Sequence, residues 1–245
     1  MSGFHNLSTF GLNNLGVRSI SGASNNGLLT NLVAYWGLDE AAGANNALDK
    51  HTGALTLTQT GSPGAAVGQV YDTARTFDGA TQSFSRTHDA SVAAFASNAT
   101  WSVAAWIYVP SDTGNKTILS KDGATRGPAF YRNGLGIRVT LPDIVDVGPP
   151  SMSATVDAWN LAIVTHDATT KTLQISVNGN TFVSTEYAGT PASNTNPLTI
   201  GIQNATNFYN GRIGPLSLWS DVLTGNEVAA LYNMGAGLTY AAYTE

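Results

Sequence analysis

No cysteine occurs among the 245 residues of the chain. Disulfide staples, thiolate nucleophiles and cysteine-bound zinc or iron–sulfur centres are thereby excluded. Charge is scarce as well: Asp, Glu, Lys and Arg make up 11% of the sequence, against roughly 25% in an average soluble domain. The 11 Lys and Arg form no run and the net charge is −5, so neither a surface that tracks phosphates nor a nucleic-acid partner is expected. No apolar stretch approaches the roughly 18 residues that a membrane-spanning helix needs, and no membrane partner is expected. Met1-Ser2-Gly3-Phe4-His5-Asn6 has neither a basic segment nor an apolar one, so an export signal is expected to be absent or already removed.

Glutamate is rarer still, with Glu40, Glu186, Glu227 and Glu245 the only four. Cleaving a glycosidic bond on a strand scaffold needs two carboxylates aimed into one cleft. Residues on one face of a strand are two or four positions apart. Asp39 and Glu40 are adjacent, Glu186 stands alone beside Tyr187, and Asp143 and Asp146 are three apart. His5, His51, His88 and His166 show no metal-ligand spacing. There is no Gly-x-Ser-x-Gly elbow and no glycine-rich loop ahead of a helix to cradle phosphate. The chain is therefore expected to be no enzyme.

What is present is an apolar content of 42% organised in short alternating runs. Trp101, Val103, Ala105, Ile107 and Val109 alternate with Ser102, Ala104, Trp106 and Tyr108. The first set reads as a core face, and Trp106 and Tyr108 need a cover, expected from a loop. Trp159, Leu161 and Ile163 repeat the pattern. Leu173, Ile175 and Val177 run into Asn178-Gly179, a turn signal because both residues tolerate positive φ. The stretch from Leu141 to Ser153, with Pro142, Pro149 and Pro150, reads as a long loop, and such loops are uncommon without a role. Near the C-terminus Thr224 and Glu227 form a capping box, with Leu223 and Val228 as its hydrophobic staple. Gly235 is the expected stop. Strands at this spacing, without βαβ alternation, predict an all-β, two-sheet antiparallel sandwich with one short C-terminal helix. Residues 1–31 lack periodicity yet carry Phe4, Leu7, Phe10, Leu12, Leu15, Val17 and Ile20. They are expected to be an extended or partner-docked arm ahead of a single domain over 32–245.

The elements also resemble a known family in their order. Leu32-Val33-Ala34-Tyr35-Trp36-Gly37-Leu38-Asp39-Glu40 looks like its first strand. Asp49-Lys50-His51-Thr52-Gly53 looks like its Asp-x-x-x-Gly turn, and Ala74-Arg75-Thr76-Phe77-Asp78-Gly79 like its Phe-Asp-Gly element. Thr100 to Val109, Trp159 to Thr165, Leu173 to Gly179 and Leu198 to Gly201 follow as strands, and Gly211 to Tyr232 as the closing strand and helix. The chain resembles the laminin G-like, or concanavalin A-like, lectin–glucanase jelly-roll family over roughly residues 32–235. The resemblance implies a jelly roll whose first and last strands pair. Its members mostly bind glycans or proteins, some carry a single structural calcium, and some relatives are glycoside hydrolases.

By this resemblance Asp49 is the candidate calcium ligand, helped by carbonyls near Gly61 to Pro63. Where the family often has a second carboxylate, after Ile213, this chain has Gly214-Pro215. Read from the residues alone, Asp49 is an Asx-type turn residue. No cofactor is required, and a structural calcium is the one ion suggested. Phe130, Tyr131 and Asn133 are candidate glycan-binding residues, as is Phe208, and each is also readable as packing.

The expected function is that of a non-catalytic structural or adhesive protein of a virion surface, such as a phage decoration, fibre or tail protein. It would dock on a capsid or other virion protein through residues 1–31, bind a surface glycan and form a homo-oligomer. A cell-surface carbohydrate-binding module is the first alternative, and a glycoside hydrolase-like enzyme the second. The surface, low in charge and rich in Thr, Ser, Asn and Gly, suits a virion surface or an extracellular setting.

Overall fold

A computed structural model describes residues 27–43, 45–123, 125–141, 144–147 and 152–244. Its strands are β1 (Leu32–Trp36), β2 (Thr58–Thr60), β3 (Gly64–Val67), β4 (Thr73–Asp78), β5 (Ser83–Arg86), β6 (Trp101–Val109), β7 (Asn115–Ser120) and β8 (Ala129–Asn133). They continue with β9 (Gly136–Leu141), β10 (Val145–Val147), β11 (Ala158–Asp167), β12 (Thr172–Val177), β13 (Val183–Glu186), β14 (Leu198–Ile200) and β15 (Asn210–Trp219). Among the described residues one α-helix, α1 (Gly225–Tyr232), follows. The strands form two antiparallel sheets. The eight-stranded sheet runs β13-β12-β11-β6-β15-β4-β3, with β1 beside β15, and the seven-stranded sheet runs β10-β9-β8-β7-β14-β5-β2.

The period-2 alternation read in β6 is realised. Trp101, Val103, Ala105, Ile107 and Val109 point between the sheets, where Phe84, Phe130, Ile200 and Leu119 meet them from the other side. The second face of β6 is apolar too, and the cover for Trp106 is a helix rather than the expected loop. Ala104 and Trp106 join Leu161, Ile163, Trp219, Val228, Leu231 and Tyr243 in a separate buried cluster on the outside of the eight-stranded sheet. The Tyr232 ring of α1 lies over Trp106 at 6.2 Å between centroids and 15° between planes. Tyr108 is held instead by Trp159, edge-on at 5.9 Å, and by the Arg212 guanidinium, 4.5 Å from its ring centroid.

The first and last strands pair, as the resemblance implies: Ala34, Tyr35 and Trp36 stand opposite Leu218, Ser217 and Leu216. One edge of β15 is shared, since β4 takes its first half through Asn210 to Ile213. The handover falls at Gly214-Pro215, where the register of β15 against β6 shifts. Proline has no N–H to give to a ladder, so a bulge is where a central strand tolerates it. At Val177–Asn180 the chain turns with φ of 54° at Asn178 and 74° at Gly179, the positive pair that a primed turn requires.

The capping box of α1 is formed: the Thr224 hydroxyl accepts from Glu227 N at 3.3 Å, and Glu227 Oε2 accepts from Thr224 N at 2.7 Å. Leu223 and Val228 are buried in one cluster, as a staple requires. The stop comes earlier than Gly235. Asn233 takes the left-handed C-cap with φ of 44°, and its N–H returns to Ala229 O, a conformation that asparagine adopts at modest cost. Because α1 seals one face of the sheet, Thr224→Ala is expected to cost about 1 kcal/mol, read as a lower urea midpoint at unchanged m-value.

Residues 1–26, most of the expected arm, lie outside the described residues. Residues 27–31 pack on the sandwich: Leu28 is buried in the outer cluster, and its carbonyl accepts from Trp219 Nε1 at 2.8 Å.

Candidate functional site

The two outer faces differ. That of the eight-stranded sheet carries α1 and the buried cluster just described. On the seven-stranded sheet, Phe84, Ile200 and Leu119 stand opposite one another on the inner side. The next row, Thr58, Ser85, Thr199 and Ser120, therefore faces out. Ser120 is already buried, beside two loops stitched together by asparagines. Asn194 Nδ2 donates to Lys121 O at 3.1 Å and Arg126 O at 2.9 Å; Asn196 Nδ2 donates to Lys121 O at 2.9 Å and to Thr125 O. The β2–β5 end of the row stays open.

A polar groove of about 460 Å³ lies there, lined by Thr56, Thr58, Ser85, Arg86, Thr87, His88 and Asp89. Local sequence explains the lining. Leu55 and Leu57 are buried, so Thr56 and Thr58 alternate outward; Phe84 is buried, so Ser85 does the same. Arg86 and Asp89 brace the floor: Arg86 Nε and Nη2 reach Asp89 Oδ2 at 3.1 and 2.5 Å, and Nη1 donates to Ala54 O at 2.9 Å. Asp89 Oδ1 accepts from Ser91 N at 2.9 Å and Val92 N at 3.2 Å. These bonds, that from Arg86 first, hold the Asp89 carboxyl below its usual range. The hydroxyls of Thr56, Thr58, Ser85 and Thr87 have no side-chain hydrogen bond to any described residue.

Behind His88 lies Lys121, wholly buried. Its Nζ is 2.9 Å from His88 Nδ1 and 3.3 Å from Val92 O. Burial lowers the affinity of this amine for its proton, and the charge of Asp89 partly restores it.

The residues singled out from sequence fall elsewhere, and none lines the groove. Phe130 is wholly buried between the sheets, opposite Leu119 and Val139, so it presents nothing to a ligand. Tyr131, its neighbour, takes the outer side and is itself buried. Asn133 is exposed at the β8–β9 turn, and Phe208 is half-buried. Beside Phe208, Tyr209 packs edge-on against Phe77 at 6.0 Å in the core. His166 is wholly buried, with Nδ1 at 2.6 Å from Ala99 O and Nε2 at 2.7 Å from the Tyr187 hydroxyl.

Asp49 is buried, and proton donors surround it. Oδ1 accepts from Tyr35 N at 3.1 Å and His51 N at 2.9 Å. Oδ2 accepts from Thr52 Oγ1 at 2.7 Å, Thr52 N at 3.3 Å and Leu55 N at 3.4 Å. Burial pushes this carboxyl up, but the hydrogen bonds, led by that from Thr52, outweigh it and hold the group below its ordinary value. A carboxylate offers about four lone-pair sites, and these are spent on N–H and O–H groups rather than aimed at a cation. Among the described residues no three His, Asp or Glu converge as a metal set. The donor set does not fit calcium, and Asp49 is a turn residue that ties β1 to its following loop.

A guanidinium organises the adjacent segment. Arg75, wholly buried, donates from Nη1 to Glu40 O at 3.0 Å and to Ala41 O. Its Nη2 donates to Gly43 O at 3.2 Å and Asn45 O at 3.0 Å, with the Phe84 ring centroid 5.3 Å away.

No curated protein sequence matches the chain. Among solved structures, the binding domain of botulinum neurotoxin serotype D/C superposes with a TM-score of 0.62 at 12% identity, covering 84% of this chain and 52% of that one. The serotype G binding domain gives 0.60 at 15%, covering 83% and 51%. This chain thus spans about half the length of the toxin domains. Domain 4 of AbnA, a GH43 extracellular arabinanase from Geobacillus stearothermophilus solved in complex with arabinotriose, gives 0.60 at 14%, covering 80% and 96%. Identities this low show a shared fold. A family profile matches residues 78–229, more than half of the chain, from the Phe-Asp-Gly turn to the middle of α1. The chain belongs to the concanavalin A-like lectin/glucanases superfamily.

Proposed function

We propose that this protein is a non-catalytic carbohydrate-binding module that receives a sugar in the groove at the β2–β5 end of the seven-stranded sheet. One observation carries the reading: four hydroxyls line one concavity and no described side chain takes them. Each is both donor and acceptor, which matches the hydroxyls of a sugar. Among the described residues the only carboxylate in the lining, Asp89, is spent on Arg86 and two backbone amides. Among the described residues no carboxylate pair stands there to cleave a glycosidic bond. The arabinotriose held by the arabinanase domain, and the binding role of the toxin domains, support a recognition function for this architecture.

The test is a glycan array with the wild-type protein and Ser85→Trp, which fills the groove from an outward-facing position. Wild-type signal that falls at least about tenfold in a folded Ser85→Trp variant supports the reading. Binding that survives the filled groove, or no glycan binding by folded wild type, overturns it.

The finer reading places the module on the outside of a virion or cell, as an adhesive surface protein. A charge content of 11% supports that placement, as does the binding role of its structural neighbours. Deleting residues 1–26 and measuring incorporation into particles tests it: a truncated protein that still assembles removes the arm from the account.

A further inference from the structure

We infer that the groove selects sugars carrying an anionic group, a carboxylate or a sulfate, through His88 and the buried ammonium of Lys121 behind it. This rests on the glycan reading above and specifies its ligand class. Among the described residues Arg86, Asp89 and Lys121 are the ionised groups at the groove, and Arg86 and Asp89 pair with each other at 2.5 Å. Lys121 has no ion pair of its own, because the Asp89 charge that acts on it is already paired with Arg86. Neither of its hydrogen-bond partners, an imidazole and a carbonyl, is negative. A buried cation without its own counter-ion is unfavourable, and an anion seated in the groove would supply one. The local excess of one positive charge sits in a chain of net charge −5, so it does not reflect a generally basic surface.

Hydrogen bonding points the same way. Val92 O can only accept, so Nζ donates to it, and a charged Nζ donates to His88 Nδ1 as well. That fixes the ring proton on Nε2. Among the described residues this Nε2–H has no partner, and His88 lines the groove. Lys121 therefore prepares a neutral imidazole as a donor, flanked by the Ser85 and Thr87 hydroxyls, with a positive charge directly behind it. Asp89 cannot serve as the acceptor for incoming sugar hydroxyls, because both its oxygens are spent. The remaining capacity of the groove is thus weighted toward donation.

A glycan array containing matched neutral, carboxylated and sulfated forms tests this, with affinities then measured on pairs such as lactose and 3′-sialyllactose. The expected result is binding to one acidic form at least about tenfold tighter than to its neutral match, as one net positive charge beside the groove implies. The acidic-to-neutral ratio should fall toward one in Lys121→Met and, independently, in His88→Phe, which leaves the buried lysine in place should the first variant fail to fold. The carboxylated and sulfated arms identify which anion is read. Equal binding of acidic and neutral forms by wild type overturns the inference while leaving glycan recognition standing, as does a preference that persists in a folded variant. Absence of all glycan binding by folded wild type overturns the glycan reading and this inference with it.

Discussion

Asp49→Ala is expected to lose about 4 kcal/mol of stability, because five N–H and O–H groups lose their acceptor together and each buried donor left unmade costs about 1–3 kcal/mol. In a domain of this size that is a fall of about 8–16 °C in melting temperature. Asp49→Asn keeps one carbonyl oxygen and should lose about half as much. Calcium provides the contrast: a carboxylate surrounded by donors has no lone pair to offer, so millimolar calcium should move the wild-type melting temperature by less than about 1 °C. A calcium-dependent rise that vanishes in Asp49→Ala would reverse this account. The acid limb gives a second readout. The folded-state value of Asp49 lies below the ordinary one, so its contribution is complete above about pH 4 and is lost as pH falls through the folded value. Urea-unfolding stability of the wild type should therefore drop more steeply below about pH 4 than that of Asp49→Ala.

Arg75→Met is expected to lose about 3 kcal/mol, since four carbonyls along residues 40–45 give up charge-assisted bonds worth about 1.5–3 kcal/mol each before water replaces them. The outer side of that loop is exposed, so solvent recovers part of the loss. Arg75→Lys separates charge from geometry. An ammonium keeps the charge but lacks the flat fork that reaches four acceptors at once, so about 2 kcal/mol should still be lost. Stability equal to wild type in Arg75→Lys would show that charge alone holds the segment. Burial lowers the proton affinity of Arg75 and Glu40 opposes that; the side chain remains charged throughout the working range of these measurements.

Most of what was legible in the sequence is local. The alternation in β6, the Asn178-Gly179 turn and the Thr224–Glu227 box depend on residues within a few positions of each other, and all three stand as expected. The groove was not legible, although each piece of it is: Thr56 and Thr58 alternate with Leu55 and Leu57, and Ser85 follows Phe84. What joins them is the pairing of Thr58 with Ser85, and no spacing in the sequence announces that register. Phe130 illustrates the opposite error. It sits beside Tyr131 in the chain, which suggests a cluster, but strand geometry sends neighbours to opposite faces, and Phe130 goes to the core. The cover over Trp106 comes from Tyr232, far along the chain, and the role of Arg75 depends on carbonyls from residues 40–45. Long-range partners of this kind leave no local pattern to read.

The burial of Leu28 against Trp219, and of Tyr243 and α1 over the same sheet, settles which way the sandwich looks. Both the segment entering at residue 27 and the one leaving at residue 244 lie on the sealed side, while the groove opens from the other sheet. A tether joined directly at residue 27 or residue 244 would pull from the back. Copies held side by side by that back would turn all their grooves in one direction. Contacts too weak to hold singly would then add up across a sugar-coated surface, with a gain set by spacing rather than by new bonds.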